Sequence, residues 1–551
     1  MDGLWLENGP LRLISPDISG KNDWTIEINP FSWHKSPAYM LYIDQPVGTG
    51  LSFTKKGNYC KSDLEVDIDF HYFLVNFLQV HHESFLSPSV TSTTEPWYTM
   101  PRPLYFTGES YAGHYIPSMM DYILQRNDDG TPKNYPNGGD PWIKINLKGA
   151  AIGNGWIDPF YQYSAADVAY GSGMIDLAQK ESLDAQELTC RDNLKKGLLT
   201  SSVCYGLLDN VVNDSHGHGG QTKVSIYDNR MWEYKGAPRN FPLGHKDVER
   251  YLGGWTGNAY PESMKVDYTE VLKALHAEES ISAKQRFEEC TDPPYNALAG
   301  QDGLGVVDEV VRILSHADKP RLLFFNGVND MICNHVGNER LLDNLPWKNK
   351  KAWILAKRYA WDAFPSQNNL GPSGYMKEYE NLSFLKVMSS GHMVPMDVPD
   401  VALEMMRIFL FSGSFDTNAQ KMSSGIPGGS AMQQCECPAQ TCDCPTCTQD
   451  KCDCPSQTCN CPTCETQSQS QQNTNSNGNG PDVDGDDKEE YTSDVLKGGW
   501  FGAMVGVGST LFVVWIRGRR ERSMKGYDDS DLDSLALQNE RYSDNPETEM
   551  I

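Results

Sequence analysis

The chain has 551 residues, of which 39% are hydrophobic, and a formal net charge of −26 at pH 7. A chain of this length and composition can bury a sizeable hydrophobic core. Its negative charge repels nucleic acid, and the sequence has no basic patch interleaved with aromatic residues. Both observations argue against a nucleic-acid-binding function.

The first segment with a recognisable chemical pattern is residues 104–117. A short apolar strand, residues 104–106, runs into Gly-Glu-Ser-Tyr-Ala-Gly at residues 108–113 and then into a predicted helix. A strand followed by Gly-x-Ser and a helix is typical of a nucleophile elbow, the sharp turn that lifts a serine hydroxyl toward substrate. The fifth position is Ala112, so the strict Gly-x-Ser-x-Gly pattern is not met. Ser110 is the candidate nucleophile, and it needs a base and a residue that orients the base.

The next part of the chain is predicted to be mainly helical. Between Asn154 and Leu304 the strand rhythm is lost, and residues 176–182 and 268–275 predict helices. Residues 304–314 predict the helix before the next strand, and residues 401–411 predict a closing C-terminal helix.

Two further candidates follow predicted strands. Asp330 comes after the apolar run 322–325, and His392 comes after the run 384–388. The order serine, aspartate, histidine is that of the α/β-hydrolases. The sequence therefore predicts an α/β protein of the α/β-hydrolase fold, with a catalytic triad of Ser110, Asp330 and His392.

The composition changes sharply after Ser412. Residues 435–464 hold ten cysteines and almost no apolar residues, and residues 466–480 are rich in Gln, Ser and Asn. In an oxidising lumen the cysteines indicate a disulfide-stapled stalk, and in a cytosol they indicate a binder of soft metals. We favour the stalk, with residues 416–497 as a linker. His216 and His218, in a Gly-rich loop, are more often solvated than metal ligands, so we expect no metal and no cofactor.

A predicted membrane span follows the linker. Residues 498–516 carry no charge over 19 positions, which is enough to cross a bilayer as a helix. Four arginines lie within residues 517–522, whereas acidic residues crowd the preceding side. The positive-inside rule then places residues 517–551 in the cytosol and the hydrolase in a lumen. The glycines at 498, 502 and 506 offer a helix-pairing face, and a homodimer is one interpretation of it.

Five motifs resemble one family. Residues 43–50, 108–117, 146–155, 329–334 and 390–395 are similar, in this order, to the active-site segments of the serine carboxypeptidases. The resemblance extends from about residue 3 to residue 413. It implies a catalytic domain over residues 1–415 with a mainly helical insertion at about residues 160–300, which would shape the substrate pocket.

The resemblance also implies how the triad would act. Ser110 would attack the last peptide carbonyl, His392 would take its proton and return it to the leaving amine, and Asp330 would hold the imidazole in the right tautomer. The backbone N–H of Tyr111 would be one donor of the oxyanion hole.

An exopeptidase must also bind the terminal carboxylate of its substrate. By resemblance Glu7 and Glu109 would share a proton for this purpose, with Asn8 and Gly9 beside them in the substrate site. Two close carboxyl groups cannot both ionise cheaply, so one pKa rises, and peptides should bind more tightly at acidic pH. The alternative is that Glu109 is a spacer in the elbow and Glu7 a solvated loop charge.

Cysteines and sequons complete the set of expected sites. The resemblance implies a local disulfide between Cys190 and Cys204, and it places Cys333 where some members line the pocket with a free thiol. A buried core cysteine is the equal alternative for Cys333. Asn213 and Asn381 begin N-glycosylation sequons.

The start of the chain departs from the family pattern. A Gly-Gly-Pro-Gly-Cys-Ser-Ser stretch, which supplies the second oxyanion donor, normally precedes the segment that begins here at Met1. We expect a truncated N-terminus, and because losing one oxyanion donor costs about 10²–10³ in rate, poor activity of the chain as written. The same loss would leave Cys290 without its family partner.

The predicted function is that of a serine-type carboxypeptidase releasing C-terminal residues from peptides or proteins at acidic pH. The topology resembles the membrane-anchored Kex-type processing carboxypeptidases, which trim C-terminal Lys and Arg in the secretory pathway. That resemblance implies a single-pass membrane protein with its catalytic domain in the lumen of the Golgi, an endosome or vacuole, or a lysosome-like compartment. The alternatives are a catalytically impaired lumenal binding homologue and an acyltransferase on the same fold.

Overall fold

The computed structural model describes residues 2–14, 25–88, 98–129, 143–215, 222–234, 268–285, 287, 291–365, 371–416 and 510–516. These residues all belong to one compact unit. Several predicted features lie outside them: the loop with His216 and His218, Cys290, the cysteine-rich stretch and linker within residues 417–509, and the tail from residue 517 onward.

An eight-stranded sheet is the centre of the fold. Its strands in spatial order are β12 (Tyr359–Trp361), β13 (Gly374–Tyr379), β14 (Leu382–Val387), β11 (Arg321–Gly327), β8 (Leu147–Gly153), β6 (Leu104–Glu109), β15 (Thr510–Ile516) and β3 (Ala38–Asp44). Three small sheets accompany it, formed by β1 (Leu11–Ile14) with β2 (Thr25–Ile28), by β4 (Ser87–Pro88), β5 (Tyr98–Thr99) and β7 (Ile143–Lys144), and by β9 (Thr222–Val224) with β10 (Trp232–Tyr234).

The middle of the sheet is parallel and covered on both faces. Strands β6, β8, β11 and β14 run parallel to one another, whereas β12 and β13 are antiparallel additions. Neighbouring residues of β11 point into different cores, since Phe324 packs in one hydrophobic cluster and Phe325 in the other. Burial of both faces explains why the strands read as continuous apolar runs.

Helices cover the sheet and also form the insertion. They are α1 (Asp63–Val80), α2 (His82–Phe85), α3 (Ala112–Asp129), α4 (Pro159–Gln162), α5 (Ala166–Gly171), α6 (Leu177–Lys195), α7 (Ser202–Asp214), α8 (Tyr268–Ala274), α9 (Glu278–Ser282), α10 (Asp292–Leu298), α11 (Val307–Ser315), α12 (His335–Asn344), α13 (Lys350–Leu355), α14 (Val394–Asp397) and α15 (Pro399–Phe411), with short helical turns at Gly3–Glu7, Trp33–Lys35 and Ala299–Gln301. Helices α1, α3 and α11 contribute to one core, and α15 contributes to the other.

The predicted helices and insertion are present. The helices expected at residues 176–182, 268–275, 304–314 and 401–411 correspond to α6, α8, α11 and α15. Between β8 and α11 the described residues form α4 to α10 with only the β9–β10 pair, which agrees with a mainly helical insertion. A disulfide between Cys190 and Cys204, with an S–S distance of 2.08 Å, joins α6 to α7 within it.

The predicted membrane helix is corrected where the structure describes it. Residues 510–516 form a strand that pairs antiparallel with β3 on one side and with β6 on the other. An apolar run rich in β-branched and aromatic residues suits a buried strand as well as a helix, and partners on both sides satisfy its backbone. Within the described part of the chain, no helix has the length and apolar character to cross a membrane. Residues 498–509 lie outside that part.

The topology places the candidate site at one edge of the sheet. Strands β6, β8, β11 and β14 end at Glu109, Gly153, Gly327 and Val387. Because the carboxyl ends of parallel strands meet at the same edge, the loops that follow them converge, and this edge is where open α/β sheets hold their ligands.

Candidate active site

The turn after β6 has the geometry of a nucleophile elbow. Ser110 has a φ of 60°, an unusual backbone conformation for a residue other than glycine, and helix α3 starts two residues later. The Ser110 N–H donates to Gly153 O at 3.1 Å, and the Trp156 N–H donates to Ser110 O at 2.8 Å. A Cβ on Gly113 would lie 2.7 Å from Trp156 N, so the helix can approach this closely only with glycine there.

Asp330 and His392 are in contact and fully buried. His392 Nδ1 lies 2.8 Å from Asp330 Oδ2, and both side chains are 0% exposed. Because an ionised carboxylate can only accept, the proton of this bond is assigned to Nδ1. The other ring nitrogen, Nε2, is then the one that can take a proton from a nucleophile.

Asp330 is held by three further donors. Asn154 Nδ2 donates to its Oδ2 at 2.7 Å, and the backbone N–H groups of Ile332 and Cys333 donate to its two oxygens at 3.0 and 3.3 Å. Asn154 in turn accepts from the Gly327 N–H at 3.0 Å, which fixes its amide orientation. The carboxylate is therefore locked in the position that orients the histidine.

The contact between histidine and serine is not formed in this structure. His392 Nε2 is buried and has no hydrogen-bond partner among the described residues. The Ser110 side chain faces Cys333 closely enough to lower the pKa of that thiol, against the larger effect of burial. A rotation of the serine about its Cα–Cβ bond changes the direction of its hydroxyl without moving the backbone, and catalytic hydrogen bonds are often loose without substrate.

Cys333 is buried beside the nucleophile. Burial raises the pKa of its thiol well above the usual range, and the charge of Asp330 adds to the effect. A neutral thiol is a poor nucleophile, so Cys333 fits a lining or packing role. Both the pocket and the core interpretations of this residue agree with its position.

Glu7 and Glu109 form a buried pair of carboxyl groups. They are 5% and 8% exposed, and their side chains hydrogen-bond each other. Burial, followed by the charge of Glu7 and the hydrogen bond to it, raises the pKa of Glu109 well above its usual value. One proton is thus held between the two groups, and the alternative of a solvated loop charge at Glu7 does not fit this burial.

The neighbours of Glu7 are placed differently from one another. Asn8 is buried, and its Oδ1 accepts from the Tyr42 hydroxyl at 3.2 Å, while its Nδ2 has no partner among the described residues. Gly9 uses its N–H on Gly3 O at 3.0 Å and its carbonyl on Asn29 Nδ2 at 3.0 Å. Asn8 therefore offers a free donor, whereas the backbone of Gly9 is engaged within its own turn, and its substrate-binding role stays a prediction.

The predicted oxyanion donor and the two sequon asparagines lie in different environments. The Tyr111 N–H makes no hydrogen bond to another backbone group of the described residues, and it adjoins Ser110. Asn213 is exposed near the end of α7. Asn381 is 6% exposed and its Nδ2 donates to Pro320 O at 2.9 Å. Glycosylation attaches to that nitrogen, so the prediction for Asn381 is corrected.

Sequence reasoning missed the residues that support the triad. Asn154 lies within the motif at residues 146–155, but no role is predicted for it from the sequence. Its position directly after a predicted parallel strand is a signal that could have indicated one. Tyr227 and Arg230, in the insertion, lie against the acid and histidine loops, and nothing in the local sequence indicated that placement.

Comparisons with known proteins agree with this geometry. The sequence model of the serine carboxypeptidase family matches residues 1–412. A pheromone-processing carboxypeptidase KEX1 of Phytophthora infestans is 35% identical over 420 residues, which cover 76% of this chain and 63% of the relative. The serine carboxypeptidase S10 family member 2 of Dictyostelium discoideum is 32% identical over 432 residues, covering 78% of this chain and 68% of the relative.

A solved structure shares the fold. The crystal structure of Kex1(delta)p, a prohormone-processing carboxypeptidase from Saccharomyces cerevisiae, matches with a TM-score of 0.57 at 24% identity, covering 74% of this chain and 79% of the other. The matched region spans only about three fifths to two thirds of the length of the curated relatives, 63% and 68% for the two named above. The family match over residues 1–412 shows that the chain belongs to the serine carboxypeptidase family.

Proposed function

We propose that the protein is a serine-type carboxypeptidase that releases C-terminal residues from peptides or proteins. The observation that carries the proposal is the fully buried Asp330–His392 pair at 2.8 Å, at the same sheet edge as the strained Ser110 turn. An exopeptidase also requires a group that binds a free carboxylate, and the buried Glu7–Glu109 pair supports the proposal as a candidate for that group.

Acylation would proceed as follows. His392 Nε2 takes the proton of the Ser110 hydroxyl while the serine oxygen attacks the last peptide carbonyl. The developing oxyanion accepts a hydrogen bond from the Tyr111 N–H. The imidazolium, stabilised by Asp330, then gives its proton to the leaving amine, the C–N bond breaks, and the C-terminal residue departs. Water repeats the sequence on the acyl-serine with the same proton transfers and frees the shortened peptide.

The carboxyl pair would select peptides with a free C-terminus. A protonated Glu109 donates a hydrogen bond to the substrate carboxylate, which a second ionised carboxylate could not do. The unpartnered Nδ2 of Asn8, on the residue after Glu7, is a further donor available near this pair. The raised pKa of Glu109 keeps this donor present at acidic pH, so we propose that the enzyme works best there.

The finer substrate and location rest on the relatives. From the resemblance to the Kex-type processing carboxypeptidases, we propose that this chain trims C-terminal Lys or Arg exposed by an endoprotease, and the relative named as a pheromone-processing carboxypeptidase agrees with a processing role. The Cys190–Cys204 disulfide and the exposed Asn213 sequon fit an oxidising, glycosylating lumen of the secretory pathway. Glycosidase treatment of the secreted or lumenal protein should shift its mass in wild type but not in Asn213→Gln.

A fluorophosphonate probe tests the proposed function. Full-length wild type should react covalently at Ser110 and should release the last residue of a peptide with a free C-terminus. Ser110→Ala should lose both properties. Ser118→Ala is the matched control. It changes a serine of α3, the helix that follows the elbow, whose hydroxyl donates to Asp67, and this variant should keep both the labelling and the peptide release. Equal release by wild type and Ser110→Ala would refute the proposal.

A further inference from the structure

A short turn of the helical insertion holds the two catalytic loops together. Residues 226–230, here called the insertion turn, lie between β9 and β10. Its own shape is fixed locally, because the Met231 N–H donates to Asp228 O at 3.0 Å and the Arg230 N–H donates to Asp228 Oδ1 at 2.9 Å. The turn therefore presents a defined surface to its neighbours.

The insertion turn contacts the loop that carries Asp330. The N–H groups of Met331 and Ile332 both donate to Ile226 O at 3.1 Å. The Asn229 N–H donates to Asn329 O at 2.9 Å, and Asn329 Nδ2 donates back to Asn229 Oδ1 at 2.9 Å. Residues on both sides of Asp330 are thus bound to one segment of the insertion.

The same turn contacts the loop that carries His392. The His392 N–H donates to Tyr227 O at 2.8 Å, and the Tyr227 ring lies 5.4 Å from the imidazole, centroid to centroid. A Cβ on Gly391 would lie 2.5 Å from Tyr227 O and 2.7 Å from Asp228 Cβ. The turn approaches so closely that only glycine fits before the histidine.

An ion-pair network closes the contact. Arg230 binds the fully buried Asp228 through two nitrogens, and its guanidinium lies 3.6 Å from Asp397 Oδ2. That oxygen accepts the Gly391 N–H at 2.7 Å. Arg230 thereby connects the insertion turn to the helix that follows His392, and so to the backbone next to the base.

We propose that the insertion turn, with Arg230 as its key positioning residue, sets the Asp330–His392 geometry, so that the insertion serves the chemical step as well as the substrate pocket. The 2.8 Å bond between the two side chains requires their loops to stay in register. Between the loops themselves the backbone makes the Asn329 N–H to Ser390 O bond at 2.9 Å, whereas the insertion turn binds each loop separately. Small displacements of catalytic groups cost up to about 100-fold in rate.

The inference rests on the proposed function, and its test separates positioning from simple docking of the insertion. Arg340 is the matched control: it is 34% exposed against 38% for Arg230, and it binds Asp167 and Glu187 of the insertion without touching the insertion turn. Full-length wild type, Arg230→Met, Arg230→Lys and Arg340→Met are compared for kcat, KM and the rate of fluorophosphonate labelling of Ser110, with thermal unfolding measured in parallel.

We expect Arg230→Met to lower kcat and the labelling rate about 10–100-fold with KM changed less than about twofold. Arg230→Lys should recover part of the loss, and Arg340→Met should resemble wild type in all three quantities. Equal behaviour of Arg230→Met and Arg340→Met, or a rise in KM alone, would overturn the inference.

A second variant keeps the test sharp if Arg230→Met does not fold. Asn229→Ala keeps the backbone bond to Asn329 but removes the side-chain bond from Asn329 Nδ2, together with the bonds that Asn229 Nδ2 donates to Ser172 Oγ at 2.9 Å and to Met331 Sδ at 3.9 Å. We expect it to lower kcat about 3–10-fold at unchanged KM, in line with the loss of a side-chain hydrogen bond to the loop of Asp330. Unchanged kcat in this variant would also overturn the inference. Failure of the proposed function looks different, because wild type itself would then neither hydrolyse peptides nor react with the probe.

Discussion

Two shared protons govern the chemistry of individual residues in this site. One lies between His392 Nδ1 and Asp330 Oδ2, 2.8 Å apart and fully buried. The other lies between Glu7 and Glu109, where burial and the neighbouring carboxylate raise the pKa of Glu109 well above its usual value. In the proposed mechanism the first proton orients a base, and the second converts a carboxylate into a donor for another carboxylate.

The Glu109 proton predicts a pH-dependent KM. As pH rises through the raised pKa of Glu109, the donor is lost and the anionic pair repels the substrate carboxylate. Loss of a hydrogen bond to a charged group costs about 1.5–3 kcal/mol, so KM for a free peptide should rise about 10–100-fold from acidic to alkaline pH. In Glu109→Gln the amide donates at every pH, and KM should vary by only a few-fold over the same range.

Steady-state kinetics from pH 4.5 to pH 8.5 check this prediction. Glu187→Gln is the control, because Glu187 is also a buried glutamate whose pKa burial raises, but its partners are Arg191 and Arg340 in the insertion. That variant should keep the pH dependence of wild type. The same steep rise of KM in Glu109→Gln as in wild type would show that another group binds the carboxylate.

At the scale of elements, strand β15 separates two interpretations of one apolar run. Residues 510–516 pair with β3 over their whole length and with β6 over four positions. An isolated sequence cannot distinguish a buried strand from part of a membrane helix, because both are continuous apolar runs. What identifies residues 510–516 as a strand is their pairing with β3 and β6, which are distant from them in the sequence.

A proline tests this strand. Val513 lies opposite both Leu41 of β3 and Phe106 of β6. Val513→Pro removes a backbone donor from the interior of the sheet. We therefore expect the free energy of unfolding to fall by about 1–3 kcal/mol, with a lower midpoint in thermal denaturation of the full chain. Val513→Ala is the control, because it keeps the backbone donor, and it should lower the midpoint less than Val513→Pro. An unchanged midpoint in Val513→Pro, with extraction only by detergent, would favour the membrane helix instead.

For the whole molecule, buried acids link stability to pH. Burial raises the pKa of Asp67 to about 8 and that of Asp302 to about 6. A raised pKa in the folded state means that the folded protein binds more protons than the unfolded chain. The contribution of these two acids to the free energy of unfolding is therefore fully present below about pH 4 and is lost as pH rises toward 8. Burial lowers the pKa of His71 and His335 to about 4, and these two residues oppose folding below about pH 6.5.

Asp67→Asn isolates one part of this balance. The variant removes the titrating group, whose Oδ2 accepts from the Ser118 hydroxyl at 2.7 Å. The unfolding midpoint of the variant minus that of wild type should increase between pH 5 and pH 8. As pH rises, wild type is destabilised because its buried carboxyl must either ionise or keep a proton that the unfolded chain has lost, whereas the variant has no such group. Differential scanning calorimetry at both pH values measures the difference. A difference that does not change with pH would contradict the raised pKa.

The reach of the sequence is uneven across these scales. The fold and the positions of Ser110, Asp330 and His392 could be predicted because each residue follows an apolar strand, and strand ends share one edge of a parallel sheet. The pairing of Glu7 with Glu109 depended on family resemblance. The insertion turn, the burial of Asn381 and the strand at residues 510–516 depend on contacts distant in sequence, for which local patterns carry no signal.

The most direct test uses one peptide sequence in two forms, with a free or an amidated C-terminus. Mass spectrometry identifies the products that the full-length enzyme makes from each form at pH 5. With a free carboxylate, the peptide should lose residues one at a time from its C-terminus, and Ser110→Ala should stop the reaction. With an amidated C-terminus, release should be at least about 10-fold slower, since the carboxylate contact with the Glu7–Glu109 pair is lost. Internal cleavage, or release that persists in Ser110→Ala, would contradict the account.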